Sequence, residues 1–189
     1  MKLVFATHNK NKFDEVKKII PSHIELVSLT DIGCFDEIPE TGSTLEENAH
    51  IKADYVTKNY GLSCFADDTG LIVDALNGEP GVYSARYAGE HKNSEDNMTK
   101  LLHKLEGKNS RLAHFKTVIA LNINKEKHTF KGTVQGKITT EKTGNHGFGY
   151  DPIFKPNGYE KTFAELPIET KNSIGHRGRA MKKLLDFLQ

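Results

Sequence analysis

The sequence predicts an α/β fold, because short apolar strands and amphipathic helices occur along one chain. Three observations support this class. The chain opens with an apolar segment, a polar loop and then an amphipathic helix. A second amphipathic helix begins near residue 44. Between residues 112 and 138 the apolar period changes from helical to alternating, which is typical of a strand hairpin.

Composition restricts the class of protein. The 189 residues carry 26 basic and 25 acidic side chains. This balance argues against a protein whose main function is to bind nucleic acid or an anionic membrane. No apolar run is long enough to cross a bilayer. The apolar segment within residues 1–6 is too short for a signal peptide, because polar residues follow it directly. Cys34 and Cys64 make no disulfide framework or zinc set. We expect a soluble, cytoplasmic protein in which residues 1–189 form one domain.

The first strand is predicted at residues 3–6 and leads into a polar loop. The helix that follows has Phe13 and Val16 on its apolar face and Pro21 as its stop. Such a loop presents free backbone N–H groups and the positive end of the helix dipole, where phosphates bind. Ordinary helix capping with solvated lysines is the alternative. The loop offers positive charge or hydrogen-bond donors from Thr7, Asn9, Lys10, Asn11 and Lys12.

A loop with an acid leads from a second short strand to the second helix. Glu40 lies in this loop and is free to reach a metal ion. Ser43 or Thr44, each followed three residues later by glutamate, fits a capping box, and Gly61 fits the helix end. Lys52 borders the buried apolar stripe of this helix rather than the opposite face.

The most unusual segment is residues 65–71, where two acids lie between apolar runs. It is predicted to form two short buried strands joined by a turn that contains Asp67, Asp68 and Thr69. Adjacent charges between apolar runs need compensation, and Mg²⁺ accepts one or two carboxylates together with water and substrate phosphates. A polar turn explains the same residues, because Asp, Thr and Gly all favour turns. Both interpretations stay open at this point.

The middle of the chain supplies further elements of core and sheet. Arg86, among small and aromatic residues, is either a stacked structural residue or an anion ligand. A helix begins at Asn93, and strands follow at 112–123 and 128–138. Gly136 indicates a bulge or a close backbone approach in the second of these strands.

A glycine-rich loop at residues 144–152 carries aromatic rings and an acid. Phe148 offers a flat surface for a nucleobase, and Asp151 can accept a hydrogen bond from a ring N–H. Gly149 and Tyr150 lie between them. The alternative is a loop whose phenylalanine only fills the core.

A basic segment is predicted at the start of the last helix. Lys171, His176, Arg177 and Arg179 bring four cationic or imidazole groups there. Positive groups at a helix N-terminus oppose the dipole preference, and a bound anion or electron-rich ligand would offset the mismatch. A solvated basic patch is the alternative, but the local conflict favours a functional role.

Together these segments resemble the inosine triphosphate pyrophosphatase family, whose members act on ITP, dITP and XTP. The resemblance covers the chain essentially end to end, and the number and order of its motifs argue against chance. The motifs are Thr7-His8-Asn9-Lys10-Asn11-Lys12, Glu40-Thr41-Gly42, Glu47-Asn48-Ala49, Ala66-Asp67-Asp68-Thr69-Gly70-Leu71, Ser84-Ala85-Arg86-Tyr87, Phe148-Gly149-Tyr150-Asp151 and His176-Arg177-Gly178.

The resemblance implies a metal-dependent hydrolase that converts a nucleoside triphosphate to the monophosphate and pyrophosphate. It implies an elongated fold of two lobes around a curved mixed β-sheet with flanking helices, an active-site cleft between the lobes, and a homodimer. Glu40 and Asp68 would hold Mg²⁺, and Asp68 would also take the proton from the attacking water. The substrate-binding residues that it implies are Thr7, His8, Asn9, Lys10, Asn11, Lys12, Lys52, Thr69, Phe148, Gly149, Tyr150, Asp151, Lys171, His176 and Arg177.

Two positions depart from the family pattern. Thr69 stands where serine is more common, a change that keeps the hydroxyl. Gly175 stands where serine commonly precedes the His-Arg pair, which puts a side-chain contact from that position in doubt. Two other functions are compatible with the motifs, a phosphohydrolase that releases only the terminal phosphate and a nucleotide-binding sensor without catalysis.

Overall fold

The computed structural model describes residues Met1–Gln189, which form a six-stranded sheet with flanking helices. The strands are β1 (Lys2–Phe5), β2 (Glu25–Ser28), β3 (Cys64–Val73), β4 (Leu112–Ile123), β5 (Glu126–Ile138) and β6 (Phe154–Pro156). The α-helices are α1 (Lys10–Lys17), α2 (Leu45–Tyr60), α3 (Ser94–Lys104), α4 (Ile168–Ile174) and α5 (His176–Phe187). None of these helices has the length and apolar character needed to cross a membrane.

The sheet is mixed, with the strand order β2-β1-β3-β4-β5-β6. Strand β1 pairs in parallel with β2 and with β3, whereas β6 pairs antiparallel with β5. Strands β4 and β5 form the expected hairpin, closed by Asn124 and Lys125, both at positive φ (53° and 67°), which suits a two-residue turn. The α/β class with a mixed sheet is therefore confirmed.

The chain divides into two compact units. Unit 1 contains residues 1–68, 117–131 and 180–189, and unit 2 contains residues 69–116 and 132–179. The core of unit 1 includes Phe5 stacked on Phe65, with ring centroids 4.5 Å apart. In the core of unit 2, Phe115 meets Phe154 edge to face at 4.7 Å. Each unit therefore has a hydrophobic core of its own.

The acidic segment is one strand, so the prediction of two short strands joined by a turn is wrong. Strand β3 runs without interruption through Asp67, Asp68 and Thr69. Turn-favouring side chains are tolerated in a strand when other partners satisfy them. Here lysines from elsewhere in unit 1 compensate the charges of the carboxylates. The backbone can therefore continue as a strand, because the carboxylates do not need a turn that exposes them to water.

The predicted start and end of α2 are confirmed. Thr44 Oγ1 accepts a hydrogen bond from the backbone N–H of Glu47, and the Glu47 carboxylate accepts one from the N–H of Ser43. Gly61 ends the helix in the left-handed conformation at φ 66°. Helix α1, in contrast, ends at Lys17, four residues before the predicted stop at Pro21.

The C-terminal segment forms two helices rather than the single predicted one. Lys171 lies in α4, whereas His176 and Arg177 begin α5, and Gly175 separates the two helices. A Cβ atom on Gly178 would overlap the backbone carbonyl of Asn172, so glycine is needed where α5 packs against α4.

Two contacts within unit 2 concern the predictions for Gly136 and Arg86. A Cβ on Gly136 would collide with the carbonyl of Lys155 in β6, which confirms a close backbone approach. The Arg86 guanidinium lies 5.3 Å from the Tyr83 ring centroid, in the stacked arrangement that was one of its two interpretations.

Candidate active site

The predicted phosphate loop joins β1 to α1 in unit 1. Asn9 caps the helix, its side chain accepting a hydrogen bond from the backbone N–H of Lys12, and Thr7 Oγ1 accepts one from the N–H of Asn9. The His8 ring contacts the carbonyl of Asp36 at 2.9 Å. Lys10 and its neighbour Asn11 are exposed. The loop therefore shows both capping and a helix N-terminus that bears exposed polar and cationic groups.

One end of this loop is tied to the acidic strand. Lys12 Nζ lies 3.0 Å from Asp67 Oδ1, and the Asp67 side chain is almost completely buried. A buried carboxylate without a partner would be costly, so this ion pair accounts for the charge of Asp67.

Lys52 of α2 connects Glu40 with both aspartates. Its Nζ lies 2.6 Å from Glu40 Oε1, 2.6 Å from the backbone carbonyl of Asp67 and 3.8 Å from Asp68 Oδ1. Burial alone would lower the pKa of Lys52, but the attraction of Asp68, Glu40 and Asp67 raises it. Lys52 is therefore a fixed positive charge among three carboxylates.

Burial raises the pKa of Asp68, although Lys52 and Lys12 oppose the shift. The side chain of Asn48, also on α2, accepts a hydrogen bond at Oδ1 from the backbone N–H of Gly42 at 2.7 Å. No role was predicted for Asn48 from the sequence. The feature that could have indicated one is its position, since a polar amide side chain lies on the buried face of an amphipathic helix.

The donor set fits a hard divalent cation. Glu40, Asp67 and Asp68 supply carboxylate oxygens around Lys52, and such oxygens are the ligands that a hard cation takes. No group of three or more His, Cys, Asp or Glu side chains is arranged to hold a metal ion by itself. Such a donor set suits Mg²⁺, which is usually held by one or two carboxylates together with substrate phosphates.

The aromatic–carboxylate loop of unit 2 is organised by Asp151. Its Oδ2 accepts hydrogen bonds from Lys171 Nζ at 2.6 Å and from the backbone N–H of Phe148 at 2.9 Å. A Cβ atom on Gly147, which has φ 72°, would overlap the same Oδ2. The carboxylate can therefore reach the Phe148 backbone because residue 147 is glycine.

Cationic groups surround the half-buried ring of Phe148. Lys171 Nζ lies 4.8 Å from the ring centroid, and the Arg177 guanidinium lies 5.7 Å from it. Arg177 Nη2 also contacts Thr69 Oγ1 at 3.3 Å. These four residues therefore lie close together, although they come from three separate segments of the sequence.

The remaining predicted residues of unit 2 are placed differently. The His176 ring stacks on Phe115 with centroids 4.5 Å apart and is buried. The ring of Tyr150 is in the core, and its hydroxyl donates to the carbonyl of Ser84 at 2.7 Å. A Cβ on Gly149 would have open space around it.

The predicted site residues thus fall into two groups, each within one unit. The acidic group of unit 1 consists of the loop residues Thr7, His8, Asn9, Lys10, Asn11 and Lys12 with Glu40, Lys52, Asp67 and Asp68. The ring group of unit 2 consists of Thr69, Phe148, Gly149, Tyr150, Asp151, Lys171, His176 and Arg177.

Comparison with known proteins gives full-length matches. The model of the Ham1 family matches residues 3–187. A dITP/XTP pyrophosphatase of Flavobacterium johnsoniae is 62% identical over 188 residues, covering 100% of this chain and 98% of the relative. The dITP/XTP pyrophosphatase of Bacillus subtilis is 47% identical over 190 residues, covering 98% and 96%.

Solved structures agree with the sequence matches. The Staphylococcus aureus Ham1 protein superposes with a TM-score of 0.91 at 44% identity, covering 100% of this chain and 98% of the other. A Mycobacterium abscessus protein described as a nucleoside-triphosphatase or dITP/XTP pyrophosphatase has a TM-score of 0.79 at 45% identity, covering 98% and 99%.

Proposed function

The chain belongs to the Ham1 family, and from that membership and the two groups of residues we propose that it hydrolyses non-canonical purine nucleoside triphosphates. The substrates are ITP, dITP and XTP, and the products are the nucleoside monophosphate and pyrophosphate. The names of the curated relatives support this reaction. The observation that carries the proposal is that Lys12 and Lys52 lie among the carboxylates of Glu40, Asp67 and Asp68 in the acidic group.

The acidic group is suited to the triphosphate end of the substrate. The exposed N-terminus of α1 and the residues Thr7 to Lys12 supply backbone N–H groups and positive charge. Lys52 supplies a second fixed charge. Transfer at a phosphoanhydride gives a protein little covalent chemistry to do, so positioning and neutralisation of charge dominate.

Mg²⁺ would be held by Glu40 and Asp68 in this proposal. The ion, when bound, withdraws negative charge from the phosphate oxygens. Asp68 accepts the proton of the attacking water, a role that requires a carboxylate next to the phosphates. Asp67 is instead paired with Lys12 and orients that lysine.

The ring group is suited to the purine end. Phe148 stacks on the base. Arg177 carries only hydrogen-bond donors and His176 can donate, which matches the six-position oxygen of hypoxanthine and xanthine. Adenine carries an amine there and would leave the donors unpaired, a misfit that such sites reject by about 10⁴-fold or more. Asp68 of the acidic group and Thr69 of the ring group are consecutive in β3.

A substrate panel tests this proposal. ITP, dITP, XTP, GTP and ATP are incubated with the protein and Mg²⁺, and pyrophosphate and orthophosphate are measured separately. Pyrophosphate from ITP, dITP or XTP supports the proposal, and orthophosphate alone supports the terminal phosphohydrolase. The β,γ-methylene analogue of ITP sharpens the distinction, because a pyrophosphatase still releases the monophosphate from it. Binding without any turnover would indicate a sensor.

Two properties of the whole protein complete the proposal. We propose that the chain acts in the cytoplasm as a homodimer, as the resemblance implies. Twice the chain mass of 21.1 kDa is about 42 kDa, and sedimentation equilibrium distinguishes this mass from that of the monomer.

A further inference from the structure

Tyr150 belongs to the ring group, yet its side chain lies in the core of unit 2. The ring is buried among apolar side chains, and its hydroxyl donates a hydrogen bond to the backbone carbonyl of Ser84 at 2.7 Å. A ring in this position does not present a face to a nucleotide that arrives from solvent. The Tyr150 side chain can therefore act on a substrate only through the backbone that carries it.

That backbone is a tight turn of four residues, 148–151. The N–H of Asp151 donates to the carbonyl of Phe148 at 3.2 Å. The φ angle is 61° at Gly149 and −88° at Tyr150, as in a type II′ turn, which has glycine at its first central position. Asp151 Oδ2 also accepts from the N–H of Phe148 at 2.9 Å. Phe148 and Tyr150 are thus parts of one closed turn, so the contact that anchors Tyr150 also fixes the place from which the Phe148 ring projects.

Ser84, which accepts the bond from Tyr150, is itself held by buried hydrogen bonds. Its Oγ accepts from the backbone N–H of Leu71 in β3 at 2.9 Å and donates to the carbonyl of Gly81 at 2.6 Å. The Ser84 carbonyl also accepts from Asn97 Nδ2 of α3 at 3.4 Å. Buried polar groups that satisfy one another in this way form a rigid network. Ser84 therefore joins the turn that carries Phe148 to β3 and α3.

We propose that Ser84 is a positioning residue for base recognition, which holds the Tyr150 hydroxyl and through it the turn that carries Phe148. This inference rests on the proposed function, in which the Phe148 ring stacks on the purine. Stacking requires the ring to have a defined distance and angle to the base. The phosphates of the substrate are assigned to the acidic group of unit 1. Loss of the contact between Tyr150 and Ser84 should therefore weaken the binding of the base and leave the binding of the phosphates unchanged.

The mildest test is Tyr150→Phe, which removes only the hydroxyl. The matched control is Tyr87→Phe in the same core. The two tyrosines are 6% and 8% exposed, and the Tyr87 hydroxyl also donates a hydrogen bond, to the Glu79 carboxylate at 2.6 Å. We expect Tyr150→Phe to raise KM for ITP about fivefold, the effect of one hydrogen bond, with kcat within about twofold of the parent. Tyr87→Phe should leave both KM and kcat within about twofold of the parent.

Inorganic tripolyphosphate distinguishes this role from a general loss of structure, because it has the charge of the triphosphate and no base. Its inhibition constant against ITP hydrolysis is measured in the parent, in Tyr150→Phe and in Tyr87→Phe. We expect the same constant in all three proteins, since no base is present to contact Phe148. A parallel rise in this constant and in KM for ITP in Tyr150→Phe would contradict the inference.

Ser84→Ala tests the residue to which Tyr150 bonds. Loss of Oγ leaves the buried N–H of Leu71 without this acceptor, so we expect a lower thermal midpoint. KM for ITP should rise about fivefold here as well. In the double variant with Tyr150→Phe, KM should lie within about twofold of the single variants, because both changes act through one contact.

Parental KM in Tyr150→Phe, or an equal rise of KM in Tyr87→Phe, would overturn the inference. Multiplied KM increases in the double variant would also overturn it, since Ser84 and Tyr150 would then act independently. If the parent protein releases no pyrophosphate from ITP, the proposed function fails. The crystal structure of Tyr150→Phe then still tests the positioning role, because a displaced Phe148 ring supports it and an unmoved ring contradicts it.

Discussion

Asp67 and Asp68 are neighbours in sequence, yet different lysines compensate them. Successive side chains of a strand point to opposite faces, so the two carboxylates leave β3 in different directions. Asp67 pairs with Lys12 at 3.0 Å, whereas Asp68 faces Lys52 at 3.8 Å. The first pair is close enough to neutralise Asp67. Burial raises the pKa of Asp68, and Asp68 is the carboxylate to which the proposed reaction assigns the proton transfer.

Asp68→Asn is expected to abolish nearly all turnover of ITP while the fold is retained. The amide has the same shape, but it cannot take a proton from water or carry the charge that holds a cation. Since burial penalises the charged form of Asp68, the neutral variant should unfold at the same temperature as the parent or higher. Pyrophosphate release and thermal unfolding measure the two effects. Turnover close to that of the parent would remove Asp68 from the reaction.

Phe148→Ala is expected to raise KM for ITP more than it lowers kcat. Stacking of an aromatic ring on a base contributes about 1–3 kcal/mol by alanine substitution, so KM should rise about 5- to 160-fold. Phe187→Ala is the control, because that ring lies on α5 against His128 and Phe130 in unit 1. Steady-state kinetics on both variants provide the comparison. An unchanged KM in Phe148→Ala would mean that its ring does not touch the base.

At the scale of elements, local signals predicted helix starts better than the acidic strand. Thr44 and Asn93 both cap helices as expected, because the capping contact involves residues only three apart. Strand β3 was misjudged because its compensating lysines are distant in sequence. Lys12 and Lys52 lie 55 and 15 positions away from Asp67. Turn propensity is local, and only the folded chain shows that tertiary ion pairs override it.

The division of the C-terminal segment was missed for a similar reason. The apolar period of α5 predicted a single helix, but Lys171 belongs to α4 and bonds to Asp151, twenty positions earlier. The close packing of Gly178 on Asn172 is a contact between two helices, and the apolar period of the sequence does not predict it. For the basic residues at the start of α5 the alternative was a solvated patch, which does not describe His176 and Arg177, since both are buried; their predicted role in binding a ligand stays a prediction.

The loop that carries Phe148 supplies a prediction at this scale. Gly147→Ala should raise KM for ITP, because its Cβ would displace the Asp151 carboxylate from the Phe148 N–H. Gly158→Ala is the matched control. It has a similar positive φ, 85°, but nothing within 4 Å of the added Cβ. Both variants should lose about 1–2 kcal/mol from the left-handed backbone.

Thermal unfolding and ITP kinetics separate the two effects of these glycine substitutions. Similar losses of stability with a KM increase confined to Gly147→Ala would support the role of Asp151 in organising the loop. Equal KM values in the two alanine variants would show that the loop tolerates a displaced carboxylate.

For the whole molecule, the sequence predicted a set of candidate site residues but not the contacts that these residues make. The motifs supplied the members of the acidic group and the ring group as candidates. The sequence could not show that Asp151 would bind Lys171 or that the Tyr150 hydroxyl would bind Ser84. Nor could it show that the side chain of Asn48 would bind the backbone of Gly42, since such contacts depend on distances set by the packed chain.

Ligand-dependent stability tests the proposed metal at the scale of the whole protein. The α,β-methylene analogue of ITP cannot be cleaved at the proposed bond, and at about 100 times its Kd it should stabilise the protein by about 2.7 kcal/mol. For a chain of this size that corresponds to a rise of about 5–10 °C in the thermal midpoint. With Mg²⁺ alone the rise should be small, because substrate phosphates complete the coordination of the ion. In EDTA, or in Glu40→Gln with Mg²⁺ present, most of the rise should disappear. An equal rise with and without EDTA would show that the acidic group binds the nucleotide through its lysines and needs no metal.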